Sequence, residues 1–330
     1  MKKVLITGGA GFIGYHLGKK LLSEGYQVDF VDNLARGVVD PDLMALQQLP
    51  LSRFVQADLL NPAEFAKLAK DYRYIFHLAA IIGVAHVLNR PFQVLADNTT
   101  LLINMLAFAR EQTSLERFIF TSTSEVYAGT LQHFNLPIPT PESTPLAVTD
   151  LKHPRTSYML SKIYGEALCH QSGLPYTIIR PHNFYGPRMG LSHVIPELLQ
   201  RAYEAHPGGK LPVYTLEHRR TFCYIDDAVE MMYRLSQAPA AVAEVCNVGN
   251  QHPEVTIKEL AELIVKTVGK NLSLVPREGD PGSPVRRCPD MTKTASITAY
   301  RSQVSLAQGV SLTFDWYRQH IFAGKGPSAV

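Results

Sequence analysis

The stretch "VLITGGAGFIG", Val4 to Gly14, decides the fold. A short β-branched run stops at three glycines, Gly8, Gly11 and Gly14, and a helical pattern then begins. A strand that turns through glycines into a helix offers unpaired backbone N–H groups, a setting suited to a pyrophosphate. Taken alone, such a trio is equally a tight strand-to-helix turn. The next apolar run, Gln27–Asp32, strengthens the nucleotide reading because it ends in a carboxylate 18 residues after Gly14. Asp32 suits the 2′-hydroxyl of an adenosine ribose and repels a 2′-phosphate, so NAD is favoured over NADP. Arg36 stands close enough to complicate that preference. Asp58, in "VQADLL", suits the adenine amino group, or else caps the segment before Pro62.

Working outward, strand-like runs at Lys3–Thr7, Gln27–Asp32, Arg53–Gln56, Tyr74–Leu78, Arg117–Thr121 and Tyr176–Arg180 alternate with helical segments. The helices are expected near Gly11–Glu24, Pro62–Lys70, Pro91–Glu111 and Ser157–Gln171. Such alternation predicts an α/β fold with a doubly wound parallel (Rossmann) sheet. Beyond Phe184 proline and glycine become frequent, helices look short, and strands at Leu211–Tyr214 and Thr221–Ile225 look isolated. We expect a dinucleotide-binding domain over residues 1–183 plus 224–249. A smaller, discontinuous C-terminal lobe for substrate would take 184–223 plus 250–330, with a frayed tail from Ala323.

The 330 residues are 46% hydrophobic and 18% charged, ordinary for a soluble globular chain, and the net charge of +3 is dispersed. The pairs Arg219-Arg220 and Arg286-Arg287 are too short for a nucleic-acid footprint and suit a small anion better. Four separated cysteines and no clustered histidines argue against a metal site or a disulfide framework. The basic start carries an apolar run of only Val4–Ile6, and no stretch reaches the length of a membrane span. These features predict a cytoplasmic protein with no nucleic-acid or membrane partner.

"SYMLSK" puts Tyr158 and Lys162 four apart on one helix face. An ammonium group beside a phenol favours the phenolate, which could take a proton from a sugar hydroxyl while hydride leaves the adjacent carbon. In "FIFTSTSEVYAG", a buried strand runs into four hydroxyl residues and then Glu125.

Together these motifs resemble the extended short-chain dehydrogenase/reductases of the nucleotide-sugar epimerase/dehydratase group. The resemblance rests on "TGGAGFIG", "DNL", "ADLL", "HLAA", "TSTSEVY", "YMLSK", "RPHNFYGPR" and "RRTFCYIDD", which appear in the family's order over about 230 residues, and "PVRRCPD" extends it. It implies NAD against Gly8, Gly11, Phe12, Ile13 and Gly14, with Asp32, Asn33 and Arg36 at the ribose. Asp58 and Leu59 would flank adenine, while Leu78, Ala79 and Ala80 line the groove and Asn98 supports it. Thr123, Tyr158 and Lys162 would perform the chemistry, with Lys162 also holding the nicotinamide ribose. Asn183, His193, Arg220 and one of Arg277, Arg286 or Arg287 would bind a nucleoside-diphosphate sugar. His86 and His133 read as surface or loop residues. The apolar stripe Leu101, Leu102, Met105, Leu106, Phe108 and Ala109 reads as core, and the resemblance implies that its helix pairs with the Tyr158 helix across a homodimer.

The resemblance also implies a common first step, oxidation of a sugar carbon, usually C4, by NAD. Ser124 falls where 4,6-dehydratases typically carry an acidic donor, so dehydration is disfavoured. Glu125 falls where a carbon base, or the glutamate of uronate decarboxylases, is found. Epimerisation of a UDP-sugar is the favoured expectation, because "IPTPESTPL" and "PHNFYG" fit decarboxylases loosely. Decarboxylation is the alternative. A steroid-type reductase or a non-catalytic dinucleotide-binding protein fits less well, given Arg220, Asn183 and the intact Tyr158/Lys162 pair. His182, and the turn Thr215–His218 in place of a glycine-bearing one, depart from the family pattern and leave the base open.

Overall fold

The computed structural model describes residues 2–279 and 284–323, without the side chains of residues 84–86. His86 and the tail beyond Ala323 therefore lie outside the described residues. The strands in chain order are β1 (Lys3–Thr7), β2 (Gln27–Asp32), β3 (Ser52–Gln56), β4 (Tyr72–His77), β5 (Arg117–Thr121), β6 (Tyr176–Pro181) and β7 (Phe184–Tyr185). Then come β8 (Lys210–Tyr214), β9 (Arg219–Arg220), β10 (Cys223–Tyr224), β11 (Glu244–Val248), β12 (Val255–Thr256), β13 (Ser273–Arg277) and β14 (Arg286–Arg287). The first helices are α1 (Phe12–Ser23), α2 (Pro41–Gln47), α3 (Val84–Asn89), α4 (Pro91–Arg110), α5 (Ala128–His133) and α6 (Thr156–His170). They are followed by α7 (Val194–Glu204), α8 (Ile225–Gln237), α9 (Ile257–Val268), α10 (Thr292–Thr298) and α11 (Leu306–Tyr317).

Seven strands form one parallel sheet in the order β11-β6-β5-β4-β1-β2-β3. The sequence winds outward from β1 to β3 and then restarts beside β1 with β4, which opens a crevice at the carboxyl ends of those two strands. Both faces are covered, and alternation along each strand explains how: Val4 and Ile6 join one apolar cluster, while Leu5 joins the other. The same division separates Ile119 from Phe118 and Phe120 on β5.

The second half differs from expectation in two ways. Its helices are not short, since α8 has 13 residues and α9 and α11 have 12 each. Helix α9 has a reciprocal capping box between Thr256 and Glu259 and ends at Gly269 in the left-handed conformation, signals that fix its ends well. The strand expected over Thr221–Ile225 is instead broken: β9 pairs with β12 and β14, β10 pairs with β7, and Ile225 opens a helix. The chain changes sheets at Thr221 and Phe222. The segment after Pro62 is a 3-10 turn over Pro62–Lys67, capped by Asn61.

On α4, Leu102, Met105, Leu106, Phe108 and Ala109 are buried in the core. That stripe is therefore spent inside the fold. The exposed large apolar residues of the α4/α6 pair are Phe92, Ile103 and Tyr164.

Two buried histidines make the fold acid-sensitive. Burial, aided by the Lys162 charge, pushes His77 down to about 3, and burial pushes His182 down to about 3 with the charges of Arg287 and Arg180 adding. Between pH 6.5 and about 3 the unfolded chain takes these protons and the folded chain does not. Stability is thus expected to fall as pH drops through that window, by about 1.4 kcal/mol per pH unit for each histidine. Urea unfolding between pH 7 and 5 measures it, and a flat profile in His77→Gln/His182→Gln would assign the slope to these two.

Candidate active site

The glycine turn lies at the sheet's switch point. Gly8 has φ +72 and sits so close to the next strand's end that a Cβ there would lie 3.0 Å from the Ala79 amide nitrogen. A Cβ on Gly14 would lie 2.3 Å from the Gly8 carbonyl oxygen. Helix α1 starts beside this turn with no side-chain cap and no acidic residue in its first turn, so the Phe12 and Ile13 end of the helix faces the crevice with its dipole uncompensated. Such a cradle fits a dinucleotide pyrophosphate. Asp32 accepts the Ala10 amide at 3.1 Å and the Leu34 amide at 2.8 Å, which fixes its carboxylate against the turn. Asn33 and Asp58 each accept an amide two residues on, at 3.0 and 3.1 Å. Asp58 does not cap the following turn; Asn61 does. Leu59 is buried, and Leu78, Ala79 and Ala80 are partly exposed along the crevice. Asn98 clamps Ile81 through both its backbone groups, at 2.7 and 3.1 Å, and reaches Ser161 on α6.

The end of β5 delivers the hydroxyl residues to the same crevice. Thr123 caps a 3-10 turn over Ser124–Tyr127 by accepting the Glu125 amide at 3.2 Å. With its oxygen so engaged, the Thr123 hydroxyl is left to donate to the Tyr158 phenol, and that hydrogen bond favours the phenolate. Ser124 is buried, whereas the Glu125 carboxylate is exposed and makes no hydrogen bond or ion pair with the described residues.

Lys162 behaves differently from expectation. Its ammonium donates to the Thr121 carbonyl at 2.7 Å and lies over the Phe120 ring, 5.8 Å from the centre of the Tyr158 ring. The phenol is accordingly not lowered. Burial and the nearby Glu125 charge raise it above the usual tyrosine value, against Thr123 and the Arg36 charge. Burial pulls Lys162 down to about 8.

Beneath this layer runs a buried polar chain that sequence reasoning missed. Ser122 donates to Glu166 at 2.5 Å, and Glu166 receives a two-pronged contact from Arg180 at 2.9 and 2.6 Å. Arg180 donates to the Tyr127 hydroxyl at 2.7 Å, Tyr127 donates to Asn247 at 3.1 Å, and His182 meets the same Asn247 oxygen at 3.0 Å. The chain ties α6 to β5, β6 and β11. Its partners lie up to 120 residues apart, and apart from Glu166, four after Lys162 on the same helix face, no local spacing announces them.

The substrate-side residues converge partly. A cleft of about 220 Å³ is lined by Asn183, Val194, Leu198, Arg220, Phe222 and Ile257, with Glu197, Arg201 and Tyr214 also in its wall. Of these, only Asn183 and Arg220 were expected. Asn183 adopts φ 43 and donates to the Thr221 carbonyl at 2.8 Å. In β14, Arg287 is in register with Arg220 and therefore shares its face, while Arg286 points away into an ion pair with Glu254 at 2.7 Å. This alternation separates Arg287 from Arg286. Arg287 makes no hydrogen bond with the described residues, and burial lowers it while Glu125 opposes. Arg220 is brought down to about 10 by burial and by Arg287. Arg277 is exposed at the rim, and its carbonyl accepts the Thr215 amide at 3.2 Å. His193 is an exposed residue at the start of α7, and its imidazole is lowered by desolvation and by the Arg36 charge. His133 is exposed. Among the described residues no helix is long and apolar enough to cross a membrane.

Comparison with known proteins agrees with this geometry. The sequence pattern of the NAD dependent epimerase/dehydratase family matches residues 4–249. A UDP-N-acetyl-alpha-D-glucosaminuronate decarboxylase of Bacillus cytotoxicus is 31% identical, over 96% of this chain and 98% of its own. UDP-glucuronic acid decarboxylase 2 of Arabidopsis thaliana is 30% identical over 97% of this chain and 69% of its own. Among solved structures, the UDP-glucuronic acid 4-epimerase of Bacillus cereus, in complex with UDP-glucuronic acid and NAD, superposes with a TM-score of 0.77 at 26% identity, covering 96% of this chain and 99% of that one. The chain belongs to the NAD dependent epimerase/dehydratase family, and its cofactor is NAD.

Proposed function

We propose that the protein oxidises C4 of a UDP-linked uronic acid and then releases the C6 carboxyl as carbon dioxide. The observation that carries this reading is the place of Glu125. Its exposed carboxylate raises the Tyr158 phenol and opposes the lowering of Arg287, so its charge is felt by both the phenol and the paired arginines. A sugar anchored by a diphosphate on Arg220, Arg287 and Asn183 would bring its C5 and C6 there. The decarboxylase relatives support the reading, and it reverses the order of preference given by the sequence.

NAD, when bound, supplies the hydride acceptor and donor. Tyr158, aided by Thr123, would take the proton of the C4 hydroxyl as hydride leaves that carbon. The ketone then stands β to the carboxylate, so the C5–C6 bond can break with its electrons moving into an enolate on the C4 oxygen. Glu125 would pass a proton to C5, and Tyr158 would return its proton to the C4 oxygen as hydride comes back. Lys162 would hold positive charge beside the phenol through the cycle.

A second reading, 4-epimerisation of the same uronate without carbon loss, is favoured by the likeness to the Bacillus cereus 4-epimerase. Both readings require the carboxylate. Turnover of UDP-glucuronate with none of UDP-glucose is expected, measured by liquid chromatography with mass detection. Comparable turnover of both would remove the uronate assignment.

A further inference from the structure

We propose that Arg188 is a positioning residue that latches the cofactor loop, residues 33–40, to the loop after β7, so that NAD can leave only after the Arg188–Asp40 pair opens. The inference rests on the reading of Asp32 and Asn33 as NAD-binding residues. Arg188 directly precedes the stretch leading to His193, and it is held in the left-handed region at φ 65, a conformation that costs a non-glycine residue energy. Its side chain is 4% exposed. Nε donates to Asp40 at 2.7 Å, the neighbouring fork nitrogen reaches the Val38 carbonyl at 3.4 Å, and the guanidinium plane lies 4.2 Å from the Tyr15 ring centre.

One side chain thus touches both the cofactor loop and α1. Asp40 is doubly used, since its other oxygen accepts the Leu43 amide at 2.8 Å and caps α2. The rest of the loop is tied down on the far side. His16 on α1 meets the Pro187 carbonyl at 3.0 Å, and Tyr317 on α11 donates to the Met189 carbonyl. Arg188 is therefore held by α1 and α11 as well as by the cofactor loop. A buried ion pair is a weak source of stability but a strong fixer of geometry, because opening it strands a charge away from water. Closing the substrate side on the cofactor side suits a reaction in which the same NAD must wait for its hydride to return.

The test measures NAD release from the holoenzyme, diluted into a scavenging alcohol dehydrogenase with ethanol that reports free NAD. Arg188→Ala is expected to raise the release rate about tenfold or more, with kcat recovered when NAD is added to saturation. Asp40→Asn keeps an equally good helix cap while removing the charge, and it is expected to act in the same direction even if Arg188→Ala folds poorly. Unchanged release in Asp40→Asn, or a loss of kcat in Arg188→Ala that saturating NAD does not restore, would overturn the latch. Asp32→Ala separates this from the underlying reading. Faster release in Asp32→Ala with normal release in Asp40→Asn sinks the latch alone, whereas normal release in Asp32→Ala removes the loop from the cofactor site.

Discussion

Tyr158→Phe is expected to lower kcat by roughly 10²–10⁴-fold while NAD stays bound and the fold is retained. Phenylalanine preserves the ring, which packs at the start of α6, and removes only the hydroxyl that meets Thr123. The loss should fall on kcat more than on KM, because the proposed diphosphate contacts, Arg220, Arg287 and Asn183, are untouched. The raised phenol shapes the pH profile as well. With burial and Glu125 disfavouring the phenolate, activity in the wild type is expected to climb with pH above neutrality until Lys162, lowered to about 8 by burial, loses its charge. Turnover of Tyr158→Phe at the wild-type rate would remove Tyr158 as the proton acceptor.

The second large effect is expected at Glu125. Glutamine keeps the size and loses both the charge and the capacity to carry a proton, so Glu125→Gln should leave oxidation and carbon dioxide loss running and slow the protonation of C5 by about 10²-fold. The 4-keto sugar nucleotide should then build up, visible by mass spectrometry after a rapid quench. A companion effect separates charge from chemistry: removing the carboxylate also removes one of the influences that raise Tyr158, so the alkaline climb in rate should begin at lower pH. If Glu125→Gln turns over normally and no keto intermediate collects, Glu125 serves the local backbone alone.

Much of the parallel sheet could be read in the sequence because its strands are buried on both faces and appear as unbroken apolar runs such as Phe118–Phe120. Gly8 and Gly14 were legible for a similar reason, since close backbone approach admits no side chain. The second half was harder. Helices α8 and α9 alternate charged and apolar residues among frequent prolines, and two-residue strands such as β9 and β14 leave no periodic trace. The choice among Arg277, Arg286 and Arg287 depended on a register with Arg220 that only pairing across 67 positions creates. Lys162 shows another limit. Its spacing from Tyr158 correctly puts both on one helix face, but the direction of a flexible ammonium is decided by the nearest buried acceptor, here the Thr121 carbonyl. The Glu166–Arg180 pair beneath it is a tertiary contact, with one partner on a helix and the other on a strand.

The fate of C6 decides between carbon dioxide loss and epimerisation. Purified protein with UDP-glucuronate and NAD in deuterated water would be followed by proton NMR, with released carbon dioxide collected. The account predicts a UDP-pentose, one carbon dioxide for each substrate consumed, and a single deuterium placed at C5. A six-carbon UDP-uronate inverted at C4, with no carbon dioxide and no deuterium at C5, would contradict it.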